Sequence, residues 1–256
     1  MNKFLAATAL AVVSSTSSWA QDRPVFNWAG SYVGLNAGGA WGRLDDAVAY
    51  TPANGGFIAP YPALLNSQAR TFNAASVLGG GQLGYNWQSA NLVWGIEADA
   101  QLMRLRGAYD TGVINGPYGG GPQSVQFANS AQASGLYTVR GRIGYAMDRT
   151  LVYATGGVAF TEVSGASLYT LFASPRTLSG TVKSVQAGYV LGGGLEHAFS
   201  NQLSAKFEYV HAGFGGVNFT TTDSNPINGG SITNTLRTNV DVVRVGLNFK
   251  FGSAAD

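Results

Sequence analysis

The chain has 256 residues, with 15 basic and 13 acidic side chains and no cysteine. A net charge of +2 argues against nucleic-acid binding, which needs a concentrated basic surface. The lack of cysteine excludes disulfides and thiolate metal sites. Charged residues make up only 11% of the chain, whereas about 25% is typical of soluble domains.

Residues 1–20 have the pattern of a cleaved secretory signal peptide. Lys3 supplies a positive charge, and the apolar run 4–13 is too short to span a bilayer. Ser18 and Ala20 place small residues where a signal peptidase reads the chain. We expect residues 21–256 to form a single domain, because no linker-like change of composition divides them. No later run of apolar residues is long enough for a transmembrane helix.

Eight later segments are predicted to form strands: 30–41, 77–87, 92–102, 136–147, 151–162, 184–196, 203–211 and 240–251. Most have the length of about nine to eleven residues, or slightly more, that a tilted strand needs to cross a membrane. The connections after even-numbered strands are tight. The other four are long: 42–76, 103–135, 163–183 and 212–239. This alternation predicts an all-β, eight-stranded, antiparallel up-and-down transmembrane barrel with short periplasmic turns and four long extracellular loops.

The alternation of side chains within these segments predicts which face meets the lipid. In the last segment Val243, Val245 and Leu247 share one face, and Arg244 lies on the other. Aromatic residues cluster near the strand ends, as in the girdles of membrane barrels. The predicted girdle comprises Trp41, Trp87, Trp94, Tyr137, Tyr145, Tyr209, Phe249 and Phe251. We therefore expect the apolar face to point outwards, towards lipid.

The polar face carries four acids and four bases. They are Glu97, Asp99, Glu196, Glu208, Arg140, Arg142, Lys206 and Arg244. This balance suits a closed interior, where an unpaired charge is costly. Because eight strands leave an interior just wide enough for side chains, we expect these residues to fill it, which disfavours a diffusion channel. In hydrocarbon every backbone group must be paired, so the last strand should pair with the first.

Segment 28–42, WAGSYVGLNAGGAWG, resembles the opening strand of the small opacity-like outer-membrane proteins of alphaproteobacteria. Segments 79–87, 140–145 and 243–251 resemble later strands of that family, in the same order. The resemblance implies an eight-stranded barrel and an abundant surface antigen of the bacterial outer membrane, with a porin or haem-binding role in some members. No residue here carries the last two roles over, so we expect no cofactor. Residues 252–256 depart from a family pattern that often ends on an aromatic residue.

Three further patterns have structural interpretations that we favour over chemical ones. Gly79, Gly81 and Gly84 match a dinucleotide-binding fingerprint, but the segment continues as strand instead of starting the required helix. Glu97 and Asp99 share a face and could form a hydrolase dyad, although interior pairing with bases is favoured. The two histidines are isolated and form no metal cluster.

His211 lies at the outer end of the seventh predicted strand, whereas His197 falls in a predicted turn. Outer-membrane enzymes that trim lipid A use a histidine near that rim with a serine and an acid. Here Ala212 and Gly213 follow, so a neighbouring nucleophile is missing. We expect a non-enzymatic protein with structural, envelope-integrity and surface-recognition roles, whose partners are lipid, lipopolysaccharide and the barrel-assembly machinery. The alternatives are a narrow porin, a small-ligand binder and, less favoured, a lipid A-modifying rim enzyme.

Overall fold

The computed structural model describes residues 26–51, 67–118, 121–172, 176–223 and 231–251. The predicted signal peptide and the tail after Phe251 lie outside these ranges. The strands are β1 (Gly30–Thr51), β2 (Arg70–Ser89), β3 (Leu92–Asp110), β4 (Ile114–Tyr118), β5 (Gly121–Met147), β6 (Thr150–Leu171), β7 (Arg176–Ala198), β8 (Leu203–Phe214), β9 (Val217–Asp223) and β10 (Ser231–Phe251). No helix in the described part of the chain is long and apolar enough to cross a membrane.

Eight strands form a closed antiparallel ring, in the order β1, β2, β3, β5, β6, β7, β8, β10 and back to β1. The closing ladder runs from the pair Ser31 and Phe251 to the pair Thr51 and Ser231. Strand β4 pairs only with β5, and β9 lies beyond the end of β8, between β7 and β10. The predicted eight-stranded barrel and its closure between the last and first strands are therefore confirmed.

The strands are longer than predicted, because most residues assigned to long outer loops continue the ladders. Strand β5 has 27 residues and β1 has 22. The stretch around Gly116, which falls in the predicted loop 103–135, includes β4, and β4 forms a hairpin with the start of β5. Above the lipid level the outward side chains are polar, such as Arg43 and Asp45. They therefore lack the apolar alternation that marks a lipid-facing strand, and the sequence pattern is that of a loop.

The two faces of the wall have the polarity expected of a membrane barrel. Leu35, Val77 and Leu102 point outwards and are 75%, 84% and 77% exposed. Arg140 and Arg244 point inwards and are only 1% and 2% exposed. Apolar side chains on the outside and charges on the inside reverse the arrangement of a soluble barrel, so the outer surface suits lipid.

The lumen is filled in layers along the barrel axis. Trp28, Val93 and Leu151 belong to an apolar cluster at the periplasmic end. Charged residues occupy the middle, and two further apolar clusters lie above them. A β-bulge at Gly135, which has a φ of 68°, interrupts the register between β5 and β6. A bulge adds one residue and so exchanges the two faces of a strand. It directs even-numbered residues of β5 inwards below it and odd-numbered ones above it.

Candidate functional site

The eight charged residues predicted for the interior all lie in the lumen, where we call them the interior charge network. They come from five strands: Glu97 and Asp99 from β3, Arg140 and Arg142 from β5, Glu196 from β7, Lys206 and Glu208 from β8, and Arg244 from β10. All eight are buried. Each strand alternates at these positions, so the network sits on one continuous inner face.

Arg140 forms the centre of the network. Its guanidinium contacts the Glu97 carboxylate, and its Nη2 lies 2.9 Å from Asp99 Oδ2. Its Nη1 lies 3.2 Å from Glu208 Oε1, on the opposite side of the lumen. Arg244 completes this group, since its Nε donates to Glu208 Oε2 at 2.8 Å. Three carboxylates and two guanidiniums thus share one buried cluster.

A second group of pairs lies towards the periplasmic end. Lys206 Nζ lies 2.8 Å from Glu97 Oε2, and Arg142 Nη2 lies 2.8 Å from Glu196 Oε2. Glu97 therefore accepts from Arg140 and Lys206 together, and Asp99 accepts from Arg140 and Arg244. Because bases engage both carboxylates, neither Glu97 nor Asp99 is free to act as the general acid or nucleophile of a hydrolase dyad.

Neutral partners, which were not among the predicted site residues, complete the network. Tyr32 donates to Glu97 Oε2 at 2.8 Å, and Tyr153 donates to Glu208 Oε1 at 2.9 Å. Further donors to the acids are Thr138, Ser204 and Asn248. All five occupy inward-facing positions in the alternation of their strands. That alternation was the sequence signal that could have predicted them. The tyrosines were obscured because β1 and β6 are rich in small residues, which blurs their alternation.

Gly84 makes room for one of these tyrosines. A Cβ at this position would lie 2.4 Å from Tyr32 Oη and 2.7 Å from the backbone oxygen of Ile96. Gly84 belongs to the stretch that matches a dinucleotide-binding fingerprint, but here the whole stretch lies within β2. Gly84 thus allows the ring of Tyr32 to pack closely against the backbone of the strand.

The eight predicted girdle residues all point outwards, each between 39% and 58% exposed. Trp87 and Trp94 are directly opposite each other near the turn between β2 and β3. Trp41, Tyr137 and Tyr209 lie at the other end of the apolar belt. Aromatic rings at both ends of an apolar belt match the interfacial positions that such rings prefer.

The histidines lie on the outside of the barrel. His197, predicted in a turn, is instead the penultimate residue of β7, and its Nδ1 lies 3.0 Å from Thr150 Oγ1. His211 Nδ1 lies 2.8 Å from Asp241 Oδ1, and Tyr189 Oη lies 3.4 Å from its Nε2. The acid was not foreseen, because Asp241 is thirty residues away in sequence and adjacent only across the β8–β10 ladder.

An outer-membrane enzyme that trims lipid A would need a serine beside His211 and Asp241. Among the described residues, the side chains within hydrogen-bonding distance of His211 are those of Asp241 and Tyr189. Within the described ranges no group of three or more His, Asp or Glu side chains could hold a metal ion. The rim therefore offers a histidine–carboxylate pair and a phenol, with no nucleophile of the serine type in contact.

Comparison with known proteins identifies the family. The model of the outer membrane protein beta-barrel domain matches residues 6–251. The chain belongs to this family. It is thus a protein of the bacterial outer membrane, and the resemblance to small alphaproteobacterial barrels is confirmed.

Two relatives and two solved structures illustrate the similarity. A 31 kDa outer-membrane immunogenic protein of Brucella melitensis is 32% identical over 96% of this chain and 93% of its own length. A 22 kDa outer membrane protein of Rhizobium leguminosarum is 28% identical over 53% of this chain and 52% of its own length. The outer membrane protease OmpT from Escherichia coli aligns with a TM-score of 0.48 and 9% identity, covering 91% of this chain and 100% of that one. OprG from Pseudomonas aeruginosa aligns with a TM-score of 0.43 and 11% identity, covering 87% and 97%.

Proposed function

We propose that this protein is a closed, non-enzymatic barrel that contributes to envelope integrity and presents a recognition surface outside the cell. Its lipid-facing belt anchors a single mature domain among outer-membrane lipid and lipopolysaccharide, after insertion by the barrel-assembly machinery. The ends of the strands rise beyond the belt and carry the recognition surface. The relatives named as immunogenic outer-membrane proteins are consistent with exposure of that surface.

The observation that carries the proposal is the filled lumen. Arg140 bridges acids from β3 and β8, so its side chain crosses the space that a pore would need. Apolar clusters lie on both sides of the interior charge network along the axis. An ion would have to cross these apolar layers with little hydration, which is costly. This arrangement supports a rigid closed barrel over a narrow porin.

Planar-bilayer recordings of the refolded protein test this proposal. We expect no step conductance from the unaltered protein. A steady step conductance that changes on Arg140→Ala would support the porin instead. Lys183→Ala is a matched control, because this basic side chain lies on the outside of the wall and, among the described residues, its ion-pair partner is Glu162. Its substitution should leave the recordings unaltered in either case.

The pair of His211 and Asp241 favours a second candidate, a rim enzyme that acts on lipid A. A histidine held by a carboxylate is a common general base, and this pair faces the outer interface. Mass analysis of lipid A from cells with and without the protein separates the two candidates. We expect identical lipid A. A modification that is present with the protein and lost on His211→Ala would establish the enzyme, whereas His197→Ala provides a control at the opposite end of the wall.

A further inference from the structure

A group of polar side chains interrupts the apolar lining of the outer lumen. It consists of Asp46 on β1, Asn129 on β5, Ser167 on β6 and Asn234 on β10, with the hydroxyl of Tyr169 reaching into it; we call these five residues the polar layer. On β1 the inward neighbours of Asp46 are Leu44 and Val48, and both are buried. The same interruption occurs on β5 and β10. The inward neighbours there are Ala131 and Phe127 for Asn129, and Leu236 and Ile232 for Asn234.

The members of the polar layer come together across the lumen. Asn129 and Ser167 are opposite each other in the ladder between β5 and β6. Asn129 Nδ2 approaches Asp46 Oδ2 at 3.5 Å from the far side. Tyr169 Oη donates to Asn234 Oδ1 at 3.2 Å, and Ser167 Oγ lies 3.4 Å from the same oxygen. Four strands thus aim polar side chains at one buried volume.

Three side-chain atoms of this layer lack a hydrogen-bond partner. Asp46 Oδ1 and Asn129 Oδ1 are buried and have no hydrogen-bond partner, and the same is true of Asn234 Nδ2. Asp46 is 6% exposed, Asn129 4% and Asn234 0%. Buried polar atoms are nearly always paired, so unpaired oxygens on two side chains that contact each other indicate a site for a group that they could bind.

Asp46 also differs in charge from the other buried ionisable side chains. The remaining buried acids and bases belong to the interior charge network, where four negative charges meet four positive ones. No ion pair reaches Asp46 among the described residues. The base opposite it in the ladder, Arg70 on β2, donates to the backbone oxygens of Ser67 and Ala69 and packs on Tyr109. Asp46 is therefore a single buried carboxylate without a counter-charge.

We propose that the polar layer binds one monovalent metal cation, Na⁺ or K⁺, through Asp46 Oδ1 and Asn129 Oδ1. Carboxylate and amide oxygens are the ligands that hard cations prefer. Asn234 accepts from Tyr169 and Ser167, which orients both hydroxyl hydrogens away and leaves their oxygen lone pairs for the cation. A single positive charge neutralises the lone carboxylate, whereas a divalent ion would leave a net charge in apolar surroundings.

The site lies outside the membrane. Asp46 follows Trp41 of the girdle along β1, at the level of the exposed pair Arg43 and Asp45. Burial raises the pKa of Asp46 to about 6. The Tyr169 phenol is the titratable group that interacts with it among the described residues, because the guanidinium of its ladder partner Arg70 is bound to backbone oxygens. Near neutral pH the carboxylate is ionised and requires a counter-ion, whereas in acid a proton fills that role.

Thermal unfolding of the refolded full chain in detergent tests the proposal. Midpoints are compared at pH 8 in NaCl, KCl and choline chloride of equal ionic strength. We expect the midpoint to be higher in at least one metal salt by about 3 °C or more. The difference should disappear in Asp46→Asn and persist in Asp45→Asn, whose side chain is on the outside of the same strand. Equal midpoints in all three salts, or a difference that survives in Asp46→Asn, would overturn the proposal.

A direct measurement covers the case in which Asp46→Asn fails to fold. The ²³Na resonance should broaden in the presence of the unaltered protein, and either added K⁺ or titration to pH 5 should reverse the broadening. Asn129→Ala removes one proposed ligand without changing any charge and should weaken the broadening. Absence of broadening, together with equal midpoints in NaCl and choline chloride, would show that no sodium ion binds, and equal midpoints in KCl would exclude potassium.

Discussion

Arg140 on β5 and Glu208 on β8 reach each other across the lumen, with Nη1 and Oε1 3.2 Å apart. Strands β6 and β7 separate the two in the ring, so this contact is not part of any ladder. It joins opposite walls of the barrel, and Arg140 adds contacts to Glu97 and Asp99 on β3. One side chain therefore connects three parts of the wall through this ion pair and through the charge-assisted hydrogen bonds that its Nη2 donates to Asp99 and Glu208.

Replacing Arg140 by alanine should destabilise the barrel strongly. The change leaves the buried acids without one of their positive partners. Removing one partner of a buried ion pair typically costs about 3–5 kcal/mol of stability. The measurement is the free energy of unfolding in urea for protein refolded in detergent micelles. Arg43→Ala is the control, because the Arg43–Asp45 pair is exposed and should contribute about 0–1 kcal/mol. Equal losses for the two variants would contradict the assigned role of the network.

Gly84→Ala should destabilise through a steric conflict. The added Cβ would meet Tyr32 Oη and the backbone oxygen of Ile96, and the backbone cannot move away cheaply. Overpacking of this kind typically costs about 1–3 kcal/mol. Gly79→Ala on the same strand is a matched control, since the nearest atom to its Cβ would lie 3.7 Å away. Unfolding in urea should separate the two, and a stable Gly84→Ala variant would show that Tyr32 tolerates displacement.

Leu247→Arg tests which surface faces lipid. Leu247 lies midway along the lipid-facing part of β10 and is 56% exposed. A charged side chain at mid-depth on the lipid face costs about 2–4 kcal/mol. Thr233→Arg on the outward face of the same strand, above the apolar belt, should have little effect. Both are measured as free energies of unfolding in liposomes. Similar values for the two variants would be incompatible with the membrane position of the belt.

The stability of the barrel should depend on pH through Asp46. In choline buffers, which supply no metal cation, the unfolded carboxyl ionises near its ordinary pKa of 3.8, whereas burial raises the folded pKa to about 6. The folded state thus holds the extra proton between these values, so stability falls as pH rises from about 4 to about 6 and stays level above that. A difference of about two pKa units corresponds to about 3 kcal/mol. Asp46→Asn should remove this component from unfolding curves recorded between about pH 3.5 and 7, and an unchanged pH profile would refute it.

Much of the inner barrel could be predicted from the sequence because lipid imposes a strict rule. Lipid on one side and a packed lumen on the other force strict alternation, as in the last strand around Leu247. That rule also assigned Arg140 and Glu208 to the lumen face. Alternation does not encode pairing, because partners such as Glu97 and Lys206 are joined across the lumen and lie far apart in sequence.

The outer half was harder to predict because water replaces lipid there. Outward residues such as Arg43 and Thr71 are polar, and small residues are frequent, so the sequence pattern resembles a loop. The polar layer was also missed. Asp46 lies in a segment interpreted as a loop, and its inward direction depends on the strand continuing past Trp41. For Asn129, the bulge at Gly135 exchanges the faces of β5, which no simple alternation reveals.

The continuation of the ladders beyond the membrane determines how this protein is seen from outside the cell. An antibody or receptor that approaches the upper wall meets alternate residues from adjacent strands, such as Thr235 of β10 beside Asn218 of β9. Residues that are neighbours in the chain, by contrast, point to opposite sides of the sheet. The epitopes of this wall are therefore discontinuous. In a linear peptide copied from it, about every second side chain would be one that faces the lumen in the folded barrel.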